Sequence, residues 1–360
     1  MEKFTKKLYA VADDIHISFT DSGPPPSSTD YTTVVILHGS VFSGEGFEHL
    51  HAFAHRKNLR LVVWNRRDYR GSTPYTDEEL NDIKQGNRLF LEHWAVQLAE
   101  FLRKFIEEEN IPPIAADRNG GGITIMGWSM GNATALSLLS DPALLKDELY
   151  ALLKRYLKGL VLYDPPFVAF GYALPPDVDR SKLYSPFADP DAKSAQENAI
   201  LFLSWVSSSY DHGSGVLASK NLHDLNAHAK RTDNCLADTW SKSELDKSLH
   251  LEAGPRSEFP MFVDPMQSTI REVVKKALFD ENLTQSFFPD VSTVYLYAPH
   301  SVWMTVWAYI ETRRLYEDHL KANRGTRSMR FVELAGQNHF AHAVEPEKFL
   351  DYIVQSLRPV

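Results

Sequence analysis

Ser129 lies between two glycines in Gly127-Trp128-Ser129-Met130-Gly131, a spacing that can present one hydroxyl as a nucleophile. Glycine is costly beside a strand or helix unless the backbone needs room or an unusual dihedral, so two of them around one serine indicate a very tight turn. Such a turn would hold the hydroxyl where a substrate can reach it. A serine hydroxyl is nevertheless a poor nucleophile at neutral pH. The same chemistry requires a base within hydrogen-bonding reach and donors for the developing oxyanion.

The elements that would position these groups alternate along the chain. Lys7–Ala12 and Ile15–Gly23 read as an opening hairpin, closed off by the prolines at 24–26. Thr33–Ser40 and Leu59–Asn65 read as continuous apolar strands, the pattern of a parallel sheet covered on both faces. In Leu89–Glu109 the residues Leu91, Trp94, Leu98, Phe101, Leu102 and Phe105 recur three or four apart, making one apolar helical face. Ile123–Trp128 is the strand ahead of the serine, a helical region follows to about Lys158, and Gly159–Asp164 is another buried strand. From Pro165 to Asp290 the chain is polar, proline-punctuated and helical in pattern, too long for a loop. Alternation resumes with Ser292–Pro299, a helix, Met329–Leu334 and a last helix from about Glu345 to Leu357. This order predicts a doubly wound, mostly parallel α/β sheet with an inserted helical cap: a core of residues 1–164 and 291–360, and a cap of 165–290.

Composition narrows the function. The 360 residues can hold one large domain with an insertion, and the formal charge of −9, without long acidic blocks, argues against nucleic acid or an anionic membrane as the main partner. The single cysteine, Cys235, excludes an intramolecular disulfide and a multi-cysteine zinc site. No stretch is long and apolar enough for a signal peptide or a membrane span, so a soluble, cytoplasmic protein is expected. The glycines at 120–122 precede their strand and lack a Gly-Lys-Ser/Thr partner, so they are no phosphate loop, and neither metal nor other cofactor is needed.

The strand–Gly-x-Ser-x-Gly–helix arrangement resembles the nucleophile elbow of the α/β-hydrolase fold superfamily, and the resemblance extends over the chain outside the cap. It implies an eight-stranded sheet and three further elements. The base should lie after the last strand, where "ELAGQNHFAHAVEPEKF" supplies His339, with His342 as the fallback. The oxyanion donors should be the amides of Met130 and Ser40, the latter following His38-Gly39, which resembles the family's His-Gly motif. His38 would orient that loop. "NRRDYRGSTPY" resembles the loop after the fourth strand, with Gly71 and Ser72 matching, Thr73 departing, and a structural role. The acid is the departure. No carboxylate follows Ser292–Pro299 before Glu311, well inside a helix, and Asp290 belongs at the wrong end of the sheet. That leaves Asp164, where some family members place the acid, and the chain order Ser129, Asp164, His339 agrees with the family.

Serine at the elbow implies an acyl-enzyme, whereas aspartate would have suggested an epoxide hydrolase or dehalogenase. Carboxylic esters, lactones, thioesters, activated amides and cleavage of diketone carbon–carbon bonds remain open. The cap aromatics, among them Tyr172, Phe187, Phe202, Trp205, Tyr210, Trp240, Phe259 and Phe262, mainly pack, while a few should line an apolar pocket with Trp128 and Trp303. The leading expectation is an esterase or lactonase for an apolar small molecule. A proline-iminopeptidase-like enzyme would need cap carboxylates for a substrate amine, with Asp211, Asp233 and Asp238 available. A non-catalytic sensor could keep the same residues as a ligand pocket.

Overall fold

A computed structural model describes residues 4–213 and 215–358. Its sheet has eight strands in the order β1-β2-β4-β3-β5-β6-β7-β8. They are β1 (Thr5–Ala12), β2 (Ile15–Asp21), β3 (Thr32–Leu37), β4 (Leu59–Trp64), β5 (Ile123–Trp128), β6 (Leu157–Tyr163), β7 (Ser292–Tyr297) and β8 (Met329–Glu333). Only β2 runs against its neighbours β1 and β4, and the pairs from β4 to β8 are all parallel. Every residue of β3, β4, β5 and β6 is buried, which explains their unbroken runs.

The helices that position the site are α1 (Asp77–Gln85), α2 (Leu89–Glu109), α3 (Gly131–Ser137), α4 (Asp147–Tyr156), α5 (Ala195–Val206), α6 (Met266–Phe279), α7 (Trp303–Lys321) and α8 (Pro346–Ser356). Helix α2 buries the stripe expected of it, Leu91, Trp94, Leu98, Phe101, Leu102 and Phe105, each contributing about 1.5–3 kcal/mol through burial. The helical region after the elbow is broken: α3 ends at Ser137, and Asp141-Pro142 starts a short turn before α4. Strand β6 then begins at Leu157, two residues before the expected Gly159, because Leu157 pairs with Ile123 across the sheet.

Between β6 and β7 lie α5, α6 and many short turns, without a strand among the described residues. Helix α6 packs against the elbow helix α3, whereas Phe187, Phe202 and Phe262 reach over the carboxyl ends of the strands. Among the described residues no helix is long and apolar enough to cross a membrane.

Candidate active site

Strand β5 delivers Ser129 to the carboxyl edge of the sheet in a left-handed conformation, φ 53°. That backbone is sparsely populated for a residue with a Cβ and persists only where its surroundings fix it. Here Ser129 N–H donates to Tyr163 O (3.1 Å), and Asn132 donates to Ser129 O from its backbone N–H (3.2 Å) and side-chain amide (2.8 Å). The flanking glycines are required by close approach. A Cβ on Gly127 would stand 2.6 Å from Asn132 Cα, and one on Gly131 only 2.1 Å from the Leu37 carbonyl oxygen. Gly131→Ala is therefore expected to destabilise the fold by about 3 kcal/mol or more, read as a lowered urea midpoint. A wild-type midpoint would contradict this reading of the turn.

Asp164 closes β6 at φ 45°, fully buried, and its carboxylate accepts from three donors. Ala298 N–H reaches Oδ1 at 3.1 Å, while Ser301 Oγ (2.7 Å) and His339 Nδ1 (2.6 Å) share Oδ2. With Nδ1 donating to Asp164, His339 Nε2 is left with the lone pair. The histidine loop is anchored by its own carbonyl: His339 O accepts from Trp128 Nε1 and Tyr163 Oη, each at 3.0 Å. Ser129 and His339 line one cavity. Ser129 Oγ makes no hydrogen bond among the described residues.

His342, the fallback, is absent from that cavity. It stacks on Phe47 (ring centroids 4.1 Å apart) and meets Tyr163 Oη at 3.1 Å, and burial holds its pKa well below the usual imidazole value. Asp290, at the opposite end of β7, accepts from Arg118 through its carbonyl oxygen.

Ser40 and Met130 both line the cavity, and neither backbone N–H has a partner among the described residues. Two unoccupied N–H groups beside a serine hydroxyl can receive an oxyanion. Gly39 allows the loop this close, since a Cβ there would lie 2.7 Å from Ser129 Cβ. His38 acts as a spacer: it sits 2.8 Å from Gly39 O through Nδ1, and Nε2 accepts from Arg66 N–H at 3.0 Å. Burial, followed by the nearby Arg66 charge, keeps His38 well below its ordinary pKa.

The cavity has a volume of about 30 Å³. Phe187, Phe202, Trp205 and Phe262 wall one side, Val302, Met304 and Thr305 another. The two tryptophans expected in the pocket are placed differently. Trp128 turns under the histidine loop and lines a larger, outer cleft of about 650 Å³. Trp303 is tied down by its indole N–H, which donates to Tyr184 O at 2.9 Å, and by stacking on Phe167; its chain neighbours Val302 and Met304 reach the cavity instead. Phe42 lines the outer cleft, its ring 5.1 Å from Phe340 of that cleft and 6.4 Å from Phe202 of the cavity wall. The outer cleft also takes Phe47, Trp240, Glu48 and Lys247.

Three side chains near the serine escaped the sequence analysis. Ser301, which donates to Asp164, is no carboxylate, and its place just after β7 is the one local signal of its role. Arg66 and Glu258 form an ion pair buried behind Ser40, and nothing local in the sequence links positions so far apart.

Comparison with known proteins places this geometry in context. Among solved structures, potato (Solanum tuberosum) epoxide hydrolase I is similar at 15% identity and a TM-score of 0.53, covering 99% of both chains. A candidate aryl esterase from Burkholderia cenocepacia is similar at 17% identity and 0.52, covering 98% of both. At such identities the likeness is one of fold. No curated protein matches the chain by sequence. The model of the alpha/beta hydrolase family matches residues 34–352, and the chain belongs to that family.

Proposed function

We propose that the protein is a serine hydrolase that cleaves a carboxylic ester or lactone of an apolar small molecule through an acyl-enzyme. The observation that carries this reading is the buried 2.6 Å hydrogen bond from His339 Nδ1 to Asp164, on the wall of the cavity that Ser129 enters. Ser129 Oγ attacks the carbonyl carbon and its proton passes to His339 Nε2, while Asp164 favours the imidazolium so formed. The carbonyl π electrons move onto oxygen, which the amides of Ser40 and Met130 receive. Collapse breaks the acyl–oxygen bond, and the leaving alkoxide takes the proton from His339. Water then attacks the acyl-serine with His339 again as base, releasing the acid and the serine hydroxyl. Hydrogen bonds of this kind often tighten only around substrate, which fits the open Ser129–His339 contact.

The cavity walls support an apolar substrate, and the serine at the elbow favours acyl chemistry over the alkyl-enzyme route open to an aspartate. A peptidase reading wants an acidic group facing the cavity, yet Asp211, Asp233 and Asp238 are all exposed and outside its lining. The direct test is intact-mass analysis and peptide mapping after treatment with a fluorophosphonate. One label per chain, on Ser129, is expected. A folded protein that takes none would exclude a competent serine nucleophile.

The cavity at Ser129 is small, about 30 Å³, so a bulky acyl chain needs room beyond it. Phe42 lines the outer cleft and packs 6.4 Å from Phe202, a residue of the cavity wall. Phe42→Ala is expected to raise kcat/KM for p-nitrophenyl octanoate relative to the acetate about tenfold or more, the scale at which pocket shape discriminates. An unchanged ratio would mean that the outer cleft takes no part in substrate binding.

A further inference from the structure

Glu258 is a carboxylate buried to 2% exposure at the end of a one-turn π-helix, Gly254–Glu258, in the segment between β6 and β7. Such turns recur at functional sites. Its Oε2 accepts from Ser40 Oγ at 2.5 Å. Its Oε1 accepts from Tyr69 Oη at 2.7 Å and pairs with the Arg66 guanidinium. Tyr69 Oη in turn accepts from Val41 N–H at 2.8 Å. One carboxylate thus reaches two consecutive residues of the loop that carries the Ser40 amide.

Val41 shows why the loop needs holding. Its φ is 58°, a conformation that a β-branched residue adopts only when its surroundings impose it. Besides Tyr69, the restraint comes from the same inserted segment: His250 N–H donates to Val41 O at 2.7 Å, and Phe42 bridges to Leu249. The π-turn is itself clamped to the loop after β4 by a second ion pair, Arg256 to Asp68 at 3.1 Å.

We propose that Glu258 is a positioning residue that makes the oxyanion loop conditional on the inserted segment being docked: its carboxylate, through Ser40 and through Tyr69, holds Val41 in its strained state and so aims the Ser40 amide at Ser129. The proposal rests on the Ser40 amide being an oxyanion donor, the role assigned above. Lifting the turn away breaks the Ser40 tether, leaves the Tyr69 hydroxyl without the acceptor that orients it, and so lets Val41 relax. Substrate admission and oxyanion-hole assembly therefore become one event, with the hole complete only over a closed site.

The test compares wild type with Glu258→Gln, Ser40→Ala and Tyr69→Phe by two independent readouts. The first is amide hydrogen exchange of the 38–43 peptide, which reports the loop whatever the activity. The second is single-turnover acylation by a p-nitrophenyl ester, with KM determined alongside. Faster exchange of that peptide is expected in all three variants. Acylation should fall by about 100-fold in Glu258→Gln, the scale of losing one oxyanion donor, while KM stays within about threefold. Ser40→Ala and Tyr69→Phe keep the Arg66–Glu258 pair, so they carry the test if Glu258→Gln does not fold. Folded variants with wild-type exchange and wild-type acylation overturn the proposal. A merely structural Glu258 would lower the melting temperature and leave acylation per folded molecule untouched. If wild type itself is never acylated, the hydrolase reading fails, and the exchange readout still decides whether Glu258 holds the loop.

Discussion

Ser129→Ala is expected to lower kcat for an activated ester by about 10⁵–10⁶, leaving a residual acceleration of about 10³–10⁴ over water from binding and the oxyanion donors. The loss is large because Ser129, His339 and Asp164 would act as one unit, so removing the nucleophile also idles the base. The variant should still fold. Its backbone conformation at φ 53° is fixed by Asn132 and Tyr163, and neither uses the hydroxyl. Circular dichroism, kcat and fluorophosphonate labelling on one preparation check all of this. A kcat within tenfold of wild type would refute covalent catalysis through Ser129. A wild type that barely turns over, with both proteins binding apolar ligands equally well, would favour the sensor reading.

The elements of the sheet and the tight turn around Ser129 were legible because they are encoded locally. Gly127 and Gly131 mark where two backbones nearly touch, and unbroken apolar runs mark strands buried on both faces. Asp164 was reached by a less local argument, the lack of a carboxylate just after β7, and the structure puts it 2.6 Å from His339 Nδ1.

What escaped is the second ring of contacts. Glu258 approaches Ser40 across 218 positions and Arg66 across 192, distances at which periodicity carries no information. The positions of the two tryptophans were illegible for a related reason. Their types suit a pocket, but each indole N–H is held by an acceptor, the carbonyls of His339 and Tyr184, and neither ring lines the cavity of Ser129.

Asp164→Asn should lower kcat by about 10⁴ while leaving the fold and KM close to wild type. The carboxylate accepts three donors, Ala298 N–H on one oxygen and Ser301 Oγ and His339 Nδ1 on the other. An asparagine amide offers one oxygen and one NH₂ group in the same space. With its oxygen toward Ala298, the NH₂ meets His339 Nδ1, which must then become the acceptor and move its proton to Nε2. Ser129 would face an N–H instead of a lone pair. With the amide turned the other way, the Ala298 N–H opposes an NH₂, and the negative charge that favours the imidazolium is gone in either case. Ser301→Ala separates position from charge: it deletes one donor, keeps the carboxylate, and should cost about tenfold or less. The two variants are compared by kcat and by the second-order rate of fluorophosphonate labelling, which should fall in parallel. If Asp164 merely capped the turn before Pro165 and Pro166, Asp164→Asn would stay within a few-fold of wild type in both rates, and the acid of this site would have to be sought elsewhere.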